Sequence, residues 1–320
     1  MTSNSQNFDI SVPQPGSIIG AHRFRHDAMA AVFEIIICYD DPEYARQAAY
    51  AAFDELDRIE QKLSRFVENS DISQIGDLAP NERFILGPEA FRCLQLSLNM
   101  YAQTRGAFDV SLGALYNCWL DGDKKLRTPS QQDLDFAEQH TGSDHITLDE
   151  YAHTVKVDIS PLLIDLGGIG KGYAVDRTAE LLSEWGIDTA FIHGGCSSVL
   201  AVGTPDGTNG WPVTLSHPND RRITLARIEL SDRALGSSGL QKGCHIINPR
   251  TAKPVDDKLA AWSCTLDAAT ADALSTAFMV MSEQQVEEYC REHPDIMAMV
   301  ITQNENILRF GPWEMFGLSE

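Results

Sequence analysis

The sequence predicts an α+β fold rather than a doubly wound parallel sheet. Strand-like runs are interrupted by single helices instead of alternating with them regularly. One long amphipathic helix, 42–63, follows an apolar strand-like run at 30–39. A glycine-dense stretch, 165–172, stands between an extended segment and a helix start.

Taken in order, residues 1–26 read as an extended arm, polar and punctuated by prolines. The strand at 30–39 and the helix at 42–63 follow, and 64–71 breaks the helix as a polar loop. A second helix at 87–104 is closed by Gly106. A short helix at 129–140 lies beside an Asp/Lys-rich turn, so about 120–142 is a candidate small insertion. A strand at 155–159 leads into the glycine stretch, and a helix at 173–185 leaves it. Strands follow at 189–193, 199–202, 211–216, 223–230 and 261–266. Helices at 268–281 and 283–292, then strands at 296–302 and 307–310, complete a single domain over 27–320.

Lys plus Arg number 25 against 46 Asp plus Glu, a formal charge of −21. Such a surface repels nucleic acid and anionic lipid, leaving room only for a local positive pocket. No run approaches the length of a transmembrane helix, so no membrane insertion is expected. Seven widely spaced cysteines form no C-x-x-C pair, and no apolar leader or lipobox is visible near Met1. The expected location is cytoplasmic.

Between Asp165 and Gly172 four glycines and Lys171 precede a helix. Glycine lets backbone approach a ligand closely, and the free N–H groups of a helix start favour an anion. The chemistry points to phosphate or diphosphate; the plain alternative is a tight turn with a surface lysine. Gly172, not Ser or Thr, follows Lys171, which excludes a Walker A loop, and the glycine spacing is not that of a dinucleotide fingerprint.

The apolar helix 268–281 carries one charged residue, Asp272, with Thr276 one turn on. A carboxylate there needs a cation or several donors. Carboxylate plus hydroxyl suit Mg²⁺; alternatively, Asp272 caps a loop and Thr276 bonds back to its own helix. His245 can serve as a base or a flavin contact, or simply open a strand. Gly106-Ala107-Phe108-Asp109 ends a helix and then offers an aromatic ring and an acid. Cys196 follows His193-Gly194-Gly195, with no sign in the sequence alone of an activated thiol.

These pieces resemble the ApbE family of FAD:protein FMN transferases. The matching segments are Met29 and its strand, Ser64-Arg65-Phe66 with Ser70, Gly106-Ala107-Phe108-Asp109, 165–176, His193-Gly194-Gly195, Ser238-Gly239, 245–251 and 271–277. They keep the family's order over about 30–310. The resemblance implies a T-fold-like α+β architecture, with mixed or antiparallel sheets packed with helices, binding FAD and Mg²⁺. Carried over, the metal ligands are the side chains of Asp272 and Thr276 and the Gly168 carbonyl. The FAD contacts are Met29, Phe66, Ala107, Phe108, Asp109, Asp165, Lys171, His245 and Ile246. His245, Asp272 and Lys171 are the catalytic candidates. The implied reaction moves FMN from FAD to a Ser or Thr hydroxyl of an acceptor flavoprotein and releases AMP. FAD hydrolysis to FMN and AMP, or flavin binding without turnover, are the alternatives. Ala30-Ala31, Cys196, Asn248 and Ala252 depart from the family pattern, which usually shows Gly-Thr, Asp or Asn, Asp, and Gly there.

Overall fold

The computed structural model describes residues 10–11, 13, 18, 20–121, 125–242 and 246–313. Its first part contains β1 (Ile10–Ser11), β2 (Ala21–Ala28), β3 (Ala31–Cys38), α1 (Pro42–Leu63), α2 (Asp71–Ile75), β4 (Arg83–Ile85) and α3 (Pro88–Gln103). Then come α4 (Gly113–Trp119), α5 (Gln131–Gln139), β5 (Ile146–Asp149), β6 (Thr154–Val157), α6 (Gly170–Glu184), β7 (Ala190–Gly194) and β8 (Ser198–Val202). The remainder is β9 (Trp211–His217), β10 (Asp220–Leu230), β11 (Arg233–Gly239), β12 (Ile247–Asn248), β13 (Lys253–Pro254), β14 (Lys258–Thr265), α7 (Ala268–Val280), α8 (Glu283–Glu292), β15 (Met297–Thr302) and β16 (Ile307–Phe310).

Eight strands form the central sheet in the order β16-β15-β14-β11-β8-β7-β3-β2, and every pairing is antiparallel. Alternation along β3 shows why it has two faces. Phe33, Ile35 and Ile37 join the large core shared with α1, α3, α6 and α7, whereas Ile36 joins a second core. That second core is closed by the small sheet β1-β9-β10. The inner strands are therefore apolar on both faces, as a sheet covered on both sides requires. The fold is α+β, as the order of elements predicted.

The chain enters this structure earlier than the 1–26 arm suggested. Ile10 is buried and pairs with Leu215, and β2 forms one edge of the main sheet. Its polar alternation hides a strand because its side chains have ionic partners: Arg23 and Arg25 meet Glu34, and His26 meets Asp57. The helix expected at 129–140 is α5, and α4 and α5 pack a satellite core around Leu115, Cys118 and Ala137. β11 is another strand not read from the sequence, because its Gly236-Ser237-Ser238-Gly239 looks like a turn; the short strands β4, β5, β12 and β13 are not read either.

Helix α7 is buried on nearly every side, as an all-apolar helix must be. Its ends are closed by other elements. Asp176 of α6 accepts the Ala268 and Ala269 N–H groups at 2.7 and 2.8 Å, and Asp267 accepts that of Thr270 at 2.8 Å. At the far end the buried Lys258 ammonium donates to the Met279 and Met281 carbonyls at 3.1 and 2.5 Å. Two glycines permit this fit. A side chain at Gly172 would overlap the Ala268 carbonyl, and one at Gly236 the Ala271 carbonyl.

Candidate active site

The α6 helix starts within the glycine stretch, three residues before the predicted 173, and its first turn meets the N-terminal half of α7. Asp272 is 4% exposed there. Its Oδ2 accepts the Gly172 N–H at 2.8 Å and lies 3.7 Å from the Lys171 ammonium. Its Oδ1 accepts the Ser198 hydroxyl at 2.6 Å. Burial pushes the Asp272 carboxyl above its ordinary value, against the pull of Lys171, Ser198 and Gly172. The anion expected at this helix start is thus supplied in part by the protein itself.

Thr276 stands one turn further along α7, its hydroxyl 3.0 Å from that of Ser238, which also meets Ser275 at 2.8 Å. Gly168 faces it closely: a Cβ built there would lie 3.2 Å from Thr276 Oγ1 and 3.2 Å from the Phe108 ring. Carboxylate, hydroxyl and loop backbone thus converge from α7 and the glycine stretch. This oxygen donor set is one that a hard divalent cation takes. Among the described residues no group of three His, Cys, Asp or Glu side chains offers a competing centre.

The loop is held from outside by Asp165. Its carboxylate accepts the Gly167 N–H at 2.8 Å and pairs with Arg65 Nε at 2.8 Å. Arg65 also lies over the Phe66 ring, 4.7 Å from its centroid, and 5.8 Å from that of Tyr116. Phe66 is 75% exposed, an aromatic platform left open beside a guanidinium. Burial lifts the Tyr116 phenol, with Asp165 adding to the lift.

The other expected contacts are placed differently from one another. Ala107, Phe108, Asp109 and Ile246 are buried. Asp109 is saturated from within, accepting from the Ser111 and Ser143 hydroxyls at 2.7 and 2.6 Å and from the Ser111 N–H at 2.8 Å. Met29 sits half-buried in the two-residue turn between β2 and β3, where Met29 and Ala30 have φ of 51° and 54°. His245 lies outside the described residues. The structure therefore unites Lys171, Gly168, Asp272 and Thr276, and ties Asp165 to the same loop.

Ser198 is the site residue that the sequence did not disclose, since a serine inside a strand carries no periodic signal; Ser238 lay in a matching segment, but its contact with Thr276 is set only by folding. Arg65 lay in a matching segment, but its partner Asp165 is set only by folding. A cavity of about 340 Å³ lies elsewhere, over the β5–β6 hairpin, lined by Arg83, Asp149, Tyr151 and Lys156 among others. It is an open surface hollow holding none of the clustered groups, so the chemistry favours the Asp272 site.

Comparison with known proteins follows the same line. A family profile described as the ApbE family matches residues 29–301. An FAD:protein FMN transferase of Vibrio cholerae is 28% identical over 244 residues, covering 72% of each chain. One from Escherichia coli K12 is 26% identical over 273 residues, covering 79% of this chain and 76% of its own. The crystal structure of an ApbE protein from Thermotoga maritima superposes with a TM-score of 0.83 at 27% identity, covering 92% of this chain and 99% of that one. No helix among the described residues is long and apolar enough to cross a membrane.

Proposed function

The chain belongs to the ApbE family, and from that premise we propose that it transfers FMN from FAD to a Ser or Thr hydroxyl of an acceptor flavoprotein, releasing AMP. The observation that carries the reading is the meeting of Asp272 with Lys171, at 3.7 Å, beside Gly168 and Thr276. A diphosphate laid against the 167–171 loop meets backbone that can approach it closely and one ammonium group.

The side chains of Asp272 and Thr276 and the Gly168 carbonyl fit Mg²⁺, and we assign them to it. When bound, that ion supplies positive charge to the non-bridging oxygens of the diphosphate. Lys171 supplies a second positive charge to the same oxygens. Gly172 and Ser198 hold the Asp272 carboxylate in one orientation, and Asp165 with Arg65 holds the loop. We assign FAD contacts to Met29, Phe66, Ala107, Phe108, Asp109, Asp165, Lys171, His245 and Ile246. Of these, exposed Phe66 offers its ring face, while Asp109 shapes the wall from within.

In the reaction the acceptor's hydroxyl oxygen forms a bond to the FMN phosphorus as the bridging P–O bond to AMP breaks. Positioning and charge do most of the work in such transfers. The hydroxyl proton goes to His245, assigned as the base. The expectation of a cytoplasmic location stands with this reading.

The test is incubation with FAD, Mg²⁺ and candidate acceptor proteins, followed by mass spectrometry of the acceptor and assay of AMP. FMN-modified acceptor with equimolar AMP is the expected result. Free FMN released steadily without acceptor would instead make water the nucleophile. Bound flavin with no AMP under any condition would remove the catalytic reading.

A further inference from the structure

A threonine inside a helix often turns its hydroxyl back to the carbonyl four residues earlier, which for Thr276 is that of Asp272. Here the hydroxyl of fully buried Ser275 donates to the Asp272 carbonyl, at 2.9 Å. The Thr276 hydroxyl lies instead 3.0 Å from that of Ser238 on β11, and Ser238 lies 2.8 Å from Ser275. Thr276, Ser238, Ser275 and the Asp272 carbonyl thus form one chain of oxygens.

The direction of that chain follows from counting protons. A serine or threonine hydroxyl has one proton to give and two lone pairs to receive with. A carbonyl only accepts, so the single Ser275 proton goes to Asp272. Ser275 then has none for Ser238, and Ser238 donates to Ser275. Ser238 in turn has none left for Thr276, so Thr276 donates to Ser238. The Thr276 proton is held toward β11, and its lone pairs are left for another partner. The Gly168 backbone stands close to the same oxygen. Ser198 on neighbouring β8 has the complementary task, its hydroxyl donating to Asp272 Oδ1 at 2.6 Å. Gly236 pairs with Ser198, and Ser238 lies two residues further along β11 on the same face.

We propose that Ser238 and Ser275 are positioning residues for the cation: they fix the Thr276 O–H toward β11 and so leave its lone pairs free for the ion. Neither serine bonds to the ion or to substrate. The inference deepens the Mg²⁺ assignment and rests on it.

The test is Mg²⁺ alone, titrated into the full chain, with its Kd read from the rise in melting temperature. Ser238→Ala is expected to weaken Mg²⁺ binding at least about tenfold, the scale of losing a partner that orients a ligand. Ser275→Ala frees the Ser238 proton to turn onto Thr276, and should weaken binding in the same direction. Without Thr276 the serines have nothing to orient. In a Thr276→Ala background, Ser238→Ala should therefore change Kd by less than about twofold, whereas a merely structural role would give the same loss in both backgrounds. A Ser238→Ala Kd within about twofold of wild type, or an undiminished loss in the Thr276→Ala background, overturns the proposal. Should Ser238→Ala not fold, Ser275→Ala decides by the same two criteria. Wild-type and Asp272→Ala proteins that respond alike to Mg²⁺ would reject the metal assignment itself, and this inference with it.

Discussion

At the scale of single residues, the site depends on where charge is put and what backbone it is put on. Removing the Asp272 carboxylate takes away the proposed metal ligand and deprives Lys171 and the Ser198 hydroxyl of that partner. Asp272→Ala is therefore expected to lower Mg²⁺-dependent AMP release by at least about a hundredfold, the scale of losing one preorganised charge. Retained turnover in a steady-state assay would reject the metal assignment. Ala30 and Ala252 stand where the family usually has glycine, and both have φ of 54°. Ala30→Gly should raise stability by about 1 kcal/mol by relieving that conformation, read from urea unfolding. Asp272 and Lys171 were legible because each breaks its surroundings, a lone charge in an apolar helix and a cation closing a glycine run. Ser198 was not, because its importance comes from a partner 74 positions away.

At the scale of elements, α7 shows how a helix carrying site residues is fixed. Burial lifts the Asp176 carboxyl to about 7, with the Ala268 N–H opposing it and Asp267 adding to it. The unfolded chain loses that proton near an ordinary value of about 4. Between those values the folded state holds a proton the unfolded state has released, so stability falls as pH rises through the window and levels off above it. Wild-type protein is thus expected to lose more stability between pH 5 and 8 than Asp176→Asn; equal losses in chemical denaturation would show that the group titrates normally. At the other end, Lys258→Met leaves two buried carbonyls without their donor. A loss of about 2 kcal/mol is expected in the same measurement. The sequence showed this helix plainly but neither β11, which packs against it, nor β2 at the edge of the same sheet. β2 alternates charged residues that are satisfied across the sheet, and β11 is built from the residues of a turn because α7 leaves no room for larger ones.

At the scale of the whole molecule, two cores share one sheet, and the candidate site lies on the helical side. The apolar run at 30–39 announced β3, but the closing sheet β1-β9-β10 includes a two-residue β1–β9 pairing that no local pattern announces. The reading of one Mg²⁺ site makes a global prediction. Mg²⁺ at a hundredfold above its Kd should stabilise the native protein by about 2.7 kcal/mol, seen as a raised melting temperature, and should leave Asp272→Ala unmoved. An equal shift in both proteins would place the ion elsewhere. The counter-charges that terminate α7 arrive from residues 176 and 258, flanking it in space but separated from it along the chain. Neither is available to a nascent or partly unravelled polypeptide. Cation grip should therefore appear and vanish together with the complete tertiary assembly, so that affinity for the ion doubles as a gauge of whether the chain has finished folding.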